Sequence, residues 1–307
     1  MRLVFAGTPD PAVPSLRRLA ASGHEIVAVV TRRDAPLGRK RVMTPSPVAT
    51  AAGELGLRVI RADRLDDAVT GEIAALQPDL GVIVAYGGLV REPLLTTPAH
   101  GWINLHFSLL PRWRGAAPVQ HALIAGDGET GASVFQLVAG LDAGDVFAER
   151  AHTIPADATA GDLLAALADD GADLLADVVD AIAAGTATAR PQVGDSTYAG
   201  KLGDEDGRIR WNEPASAVLG RIRGVTPEPG AHTTIDGARL KVHTVGRAPD
   251  DAPALAPGAL TLHDKAVIVG TATDPIRLDS VQPAGKAPMR AADWVRGLRA
   301  AEPVLGA

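Results

Sequence analysis

The sequence predicts an α/β fold with a mixed, mostly parallel sheet, followed by a smaller β domain. Three observations predict it. Short apolar runs alternate with helix-length amphipathic segments through the first 185 residues. Two later runs, Ala132–Val138 and Asp145–Thr153, lie too close together for a crossover helix and must pair antiparallel. Beyond residue 206 the runs become short, β-rich and divided by Gly/Pro turns, the pattern of a small barrel of the oligonucleotide-binding kind.

The elements follow in order. Arg2–Ala6 is a strand, and Gly7-Thr8-Pro9-Asp10 turns into a helix with Asp10 as N-cap and Pro11 at its first position. Only one glycine of a GxGxxG fingerprint is present, which argues for an ordinary βα connection and against a dinucleotide site. His24–Thr31 is the second parallel strand. Arg32–Pro47 is a long polar loop, and Ser46-Pro47 caps the helix that follows. Arg58–Ile60 is a strand, Asp66–Leu76 a helix, and Leu80–Ala85 an unbroken apolar strand of the kind covered on both faces. Ala117–Ala125 and Thr159–Ala184 are helices flanking the antiparallel pair.

These elements make residues 1–185 one domain, with 186–206 a linker and 207–307 the β domain. In the β domain the expected strands are Gly207–Trp211, Ala231–Ile235, Leu240–Val245, Ala266–Val269 and Ile276–Val281, with helices near Pro214–Arg223 and Ala291–Arg299.

Composition narrows the function. With 307 residues, 46% of them hydrophobic, the chain can bury two cores. It has no cysteine, which excludes disulfides, thiolate nucleophiles and cysteine metal sites. The start MRLVFAGTPD is broken by Gly and Pro too soon for a signal peptide, and no apolar run approaches the roughly 20 residues of a membrane span. A cytoplasmic monomer with no membrane partner is expected. The net charge of −6 argues against a nucleic-acid partner, but its distribution does not. Residues 205–307 carry 13 basic and 12 acidic side chains, against 17 and 24 before them. Within the acidic part, Arg32, Arg33, Arg39, Lys40 and Arg41 form a basic cluster able to grip a phosphate backbone or simply to face solvent.

The chemistry concentrates between Trp102 and Asp145. Asn104 and His106 alternate with Ile103 and Leu105, so they share one face at the end of a strand. The strand runs into SLLPRWRGAAP, and the turn AGLDAGD brings Asp142 and Asp145. An amide donor, an imidazole and a carboxylate in one cleft suit acyl transfer to an amine. Asn104 would donate to the oxyanion, His106 would exchange protons near neutrality, and Asp142 would hold the imidazole tautomer and raise its pKa. Each also has a plainer role: a hydrogen-bonded structural histidine, a turn-capping Asn, an Asp beside Gly in a turn. The glycines of Tyr86-Gly87-Gly88 either admit a flat ligand to the backbone or relieve a turn. Metal ligation by His100, His106 and His121 matches no zinc spacing, and no metal is expected.

The chain resembles the methionyl-tRNA formyltransferases. The likeness runs through FAGTPDPAVPSL, LGRKRVMTPSPV, VAYGGLV, NLHFSLLPRWRGAAPVQ, GLDAGDV, TYAGKL, GRIRW, PEPGA and QPAGKAPM, nearly the whole chain. It implies a Rossmann-like formyltransferase domain followed by a small β-barrel. The implied reaction moves formyl from the co-substrate 10-formyltetrahydrofolate to the α-amino group of methionyl initiator tRNA. By motif position, Asn104, His106 and Asp142 are the implied catalytic residues. Ser108, Leu109, Leu110 and Pro111, with Tyr86 and Gly87, are implied to hold folate. Arg39, Lys40 and Arg41 of the basic loop, with Lys201 of TYAGKL, are implied to contact tRNA. Pro11, Phe107 and Glu228 depart from the residues usual in that family. Two alternatives stand beside this function: a folate-dependent formyltransferase for an amino sugar or other small amine, and a tRNA-binding protein without chemistry.

Overall fold

A computed structural model describes residues 1–38, 40–298 and 303–306. Arg39 of the expected tRNA contacts and Arg299 of the last expected helix lie outside the described residues. The chain divides into two compact units. The first comprises Met1–Pro118, Glu129–Thr153 and Leu164–Ala199; the second comprises Val119–Gly128, Ile154–Leu163 and Gly200–Ala307.

In chain order, β1 (Arg2–Gly7), α1 (Val13–Ala20) and β2 (Glu25–Thr31) open the first unit. The expected cap at Asp10 is replaced by a 3-10 turn over Asp10–Ala12, in which no side chain caps the first N–H groups. Next come β3 (Ala35–Leu37), β4 (Val42–Thr44), α2 (Pro47–Glu54), β5 (Val59–Arg61), α3 (Asp67–Ala75) and β6 (Leu80–Val84). Ser46 caps α2 as its sequence predicts, its hydroxyl accepting from the Ala49 N–H at 3.0 Å. The long polar loop contains a hairpin, β3 against β4, whose Leu37, Val42 and Met43 are exposed.

The central segment supplies β7 (Trp102–His106), β8 (Arg114–Gly115), α4 (Pro118–Ala125), β9 (Glu129–Gln136), β10 (Val146–Thr153), α5 (Ala160–Ala183) and β11 (Tyr198–Ala199). Seven strands form one sheet in the order β10-β9-β7-β6-β1-β2-β5. β5, β2, β1, β6 and β7 run parallel, while β9 and β10 extend the sheet antiparallel. Apolar residues on both faces explain the burial of every residue of β6. Gly81 on β6 is required by close packing, since a Cβ there would lie 2.1 Å from the Trp102 ring.

The expected linker is tied to the first unit for much of its length. Arg190 bridges Val146, and β11 pairs parallel with β8, so the unit continues to Ala199.

The second unit adds α6 (Ala215–Gly224), β12 (His232–Ile235), β13 (Ala238–Arg247), β14 (Leu260–His263), β15 (Ala266–Val269), β16 (Ile276–Pro283), β17 (Met289–Arg290) and α7 (Ala291–Val295). Its antiparallel sheet has the order β12-β13-β16-β15-β14, with β17 also on β16. Leu240, Val267, Ile276 and Leu278 fill its core with Trp211 and Trp294. Residues 207–211 form no strand; Arg208 makes a single bridge to His232, and Gly207 ends a 3-10 turn. Among the described residues no helix is long and apolar enough to cross a membrane.

Candidate active site

The site is built on β7, an inner strand paired with β6 on one side and β9 on the other. Ile103 and Leu105 are buried, which turns Asn104 and His106 together toward the opposite face. Both line a cavity of about 530 Å³ at the carboxyl end of the parallel strands. His106 is 6% exposed and packs edge-on against Phe135.

After β7 the chain folds back through Ser108–Trp113. The Ser108 hydroxyl donates to the Arg112 carbonyl at 2.6 Å, and the Ser133 hydroxyl accepts from the Leu110 N–H at 3.2 Å. Trp113 takes a left-handed backbone, φ 57°, and its carbonyl faces His106 Nε2 at 2.8 Å. A carbonyl only accepts, so the ring proton sits on Nε2 and the Nδ1 lone pair points toward Asp142.

Asp142 lies on the loop between β9 and β10, also left-handed, at φ 44°. Its Oδ2 accepts from the Gly115 N–H at 2.7 Å and stands 3.9 Å from His106 Nδ1. The sequence expectation that Asp142 fixes the tautomer is therefore corrected: the Trp113 carbonyl fixes it. The field of Asp142 raises the His106 pKa as expected, but it is not the largest influence. Burial lowers the His106 pKa below its ordinary value, outweighing the opposing field of Asp142 and the bond to Trp113. The imidazole is thus held neutral, with a basic nitrogen facing a carboxylate across a gap. Among the described residues none hydrogen-bonds the Asn104 side chain, so its amide can serve a ligand.

The cavity walls come from two turns. Ala85–Val90 forms one and Leu137–Asp142 the other, with Phe107 at the base and Tyr198 at the rim. Gly87 stands in the first wall at φ +75°, its carbonyl accepting from Arg32 Nη2 at 2.7 Å. Tyr86 contributes there through its backbone, for its ring is buried and its hydroxyl donates to the Ala62 carbonyl at 2.7 Å. A Cβ on Gly88 would meet that ring at 2.4 Å.

The structure thus brings Asn104, His106 and Asp142 into one cavity with Tyr86 and Gly87. Ser108, Leu109, Leu110 and Pro111 lie outside its lining; Ser108, Leu110 and Pro111 are buried, and Leu109 packs on Gly131. Lys40 and Arg41 are exposed beside the β3–β4 hairpin, and Lys201 is exposed in the second unit. His100 and His121 join no metal-capable group with His106; among the described residues such a group is Asp251, His263 and Asp264. Sequence reasoning missed the Leu137–Leu141 wall, whose only signal is the apolar run into AGLDAGD. It also missed the Trp113 carbonyl and the Gly115 N–H, which act through backbone and leave no side-chain signature. Of the three departures, Phe107 is both buried and a cavity wall, Pro11 lies in the 3-10 turn, and Glu228 is exposed between two prolines.

Comparison with known proteins gives a consistent result. The formyl transferase family model matches residues 1–179, and the formyl transferase C-terminal domain model matches residues 201–299. A methionyl-tRNA formyltransferase of Clavibacter sepedonicus is 63% identical over 298 residues, covering 97% of each chain. Among solved structures, the methionyl-tRNA formyltransferase of Clostridium thermocellum has a TM-score of 0.58 at 15% identity, covering 81% of this chain and 94% of its own. The sugar 3N-formyl transferase WlaRD, solved in the presence of dTDP and 5-N-formyl-THF, has a TM-score of 0.69 at 15% identity, covering 94% and 99%. At such identities the two structures establish a shared fold.

Proposed function

The chain belongs to the formyl transferase family, and we propose that it moves the formyl group of 10-formyltetrahydrofolate to the α-amino group of methionyl initiator tRNA. The observation that carries the chemistry is the buried His106 whose Nδ1 faces Asp142 across 3.9 Å, with Asn104 on the same strand face.

Transfer begins when the amine nitrogen attacks the formyl carbon. Asn104 donates its amide N–H to the oxygen as it becomes an oxyanion, a role worth about 3–4 kcal/mol where such donors have been removed. His106 Nδ1 takes the proton that the amine sheds, and the Asp142 carboxylate stabilises the imidazolium so formed. The bond from the formyl carbon to folate N10 then breaks, and His106 returns the proton to N10. The amine loses one proton, N10 gains one, and no covalent enzyme intermediate is needed.

The folate assignment is supported by the shape of the cavity. About 530 Å³ between two backbone turns accommodates a flat bicyclic head, whose edges pair with main-chain N–H and C=O groups. The tRNA assignment is supported by the named relatives and by Lys40 and Arg41 on the hairpin. It makes the protein a cytoplasmic participant in translation initiation, acting as a monomer.

The deciding experiment offers 10-formyltetrahydrofolate with methionyl initiator tRNA, methionyl elongator tRNA, free methionine and a dTDP-amino sugar. Strong preference for the charged initiator is expected. Transfer to the sugar alone would replace the tRNA function, and tRNA binding without any transfer would leave a binding protein.

A further inference from the structure

Gln192 lies in the segment that the sequence marks as a linker, and its side chain is fully engaged. Its Nε2 donates to the Asp142 carbonyl and to the Gly144 carbonyl, both at 2.8 Å. Its Oε1 accepts from Arg114 Nε at 3.1 Å and from Arg114 Nη2 at 2.6 Å. Both amide protons and both oxygen lone pairs are therefore used. Arg114 directly precedes Gly115, whose N–H holds the Asp142 carboxylate at 2.7 Å.

Asp142 needs such support. A non-glycine residue at φ 44° is held there only when its surroundings over-determine it. The base of the loop is fixed by the Gln136 N–H donating to the Asp145 carbonyl at 2.9 Å and the Leu137 N–H to the Trp102 carbonyl at 2.7 Å. The tip has Gln192 and the Gly115 N–H. From these contacts we infer that Gln192, seated by Arg114, is a positioning residue that sets the Asp142 carboxylate at its working distance from His106.

The inference rests on the functional assignment for its effect on turnover, but not for its effect on His106. Asp142 is the charged side chain whose field reaches that imidazole. If the clamp is released, the field weakens and the His106 titration midpoint falls further. A merely structural role for Gln192 would leave that midpoint in place.

The test follows the His106 imidazole by NMR titration in the full chain as wild type, Gln192→Leu, Asp142→Asn and the double variant. kcat and KM for formyl transfer to methionyl-tRNA are measured alongside. Gln192→Leu is expected to lower the midpoint in the same direction as Asp142→Asn and to add no further shift in the Asp142→Asn background. Its kcat should fall by about tenfold or more with KM for tRNA unchanged, and that loss should vanish in the Asp142→Asn background. An unmoved midpoint in Gln192→Leu, or an equal loss in both backgrounds, overturns the inference. Should Gln192→Leu not fold, Arg114→Met, which unseats the Gln192 oxygen, carries the same titration and the same outcomes. A wild type that formylates no methionyl-tRNA overturns the functional assignment, while the titration still decides the clamp.

Discussion

His106 Nε2 is bonded to the carbonyl oxygen of Trp113 at 2.8 Å, and this contact commits the other ring nitrogen to the cavity. His106→Ala removes the proposed proton acceptor without touching the hairpin that carries Lys40 and Arg41. kcat should fall by about 10² to 10⁴, the usual contribution of a general base, while the dissociation constant for tRNA stays within about twofold. Single-turnover kinetics beside a binding titration check it; an equal loss in both would end the proton-transfer role.

Burial of His106 also makes a stability prediction. Its folded pKa is lowered, so the unfolded chain binds a proton more readily than the native one. The contribution is fully present above the unfolded value of about 6.5 and is lost as pH falls from there through the folded pKa. Thermal melts of wild type and His106→Asn between pH 8 and pH 5 should show the wild type losing more stability on acidification. Parallel curves would contradict the burial argument.

Lys40 and Arg41 are exposed at the hairpin, with Arg39 beside them in sequence. Replacing all three by Ala should raise KM for tRNA and flatten its dependence on salt, by about 0.9 in the log–log slope for each lost phosphate contact. Turnover at saturating tRNA should hold. An unaltered salt slope would mean that these charges face only solvent.

Gly88 offers a test of whether the turn Ala85–Val90 takes the folate, as proposed. A Cβ there would stand 2.4 Å from the buried Tyr86 ring, which its bond to the Ala62 carbonyl keeps from swinging away. Gly88→Ala should cost about 1–3 kcal/mol of stability through overpacking and raise KM for the folate more than KM for tRNA. Denaturant unfolding and the two KM values decide it; a rise confined to tRNA would remove this turn from the folate site.

Much of this arrangement was legible because it follows from periodicity and local chemistry. Apolar runs announced β1, β2 and β6, the Ser46-Pro47 pair announced α2, and the alternation around Asn104 and His106 announced their common face. Asp10 misled because Pro9 leads into a 3-10 turn, where the side chain finds no N–H to cap. The β3–β4 hairpin left no alternation, since neither of its faces is buried. Residues 186–206 lack apolar pattern because Arg190 and Gln192 fasten them by polar contacts, which composition cannot distinguish from a linker. The SLLP segment drew attention by position, yet three of its residues are buried and none of the four lines the cavity.

The hairpin has a further consequence, in sulfur chemistry. The chain has no cysteine and three methionines, and of these Met43 is the exposed one, at 60%. With no thiol to intercept peroxide, its thioether on β4 is the accessible soft nucleophile. Oxidation there turns an apolar, flexible side chain into a polar sulfoxide, which a reductase can reverse. Oxidative damage would therefore fall first on the element that carries the basic residues, far along the chain from Asn104, His106 and Asp142.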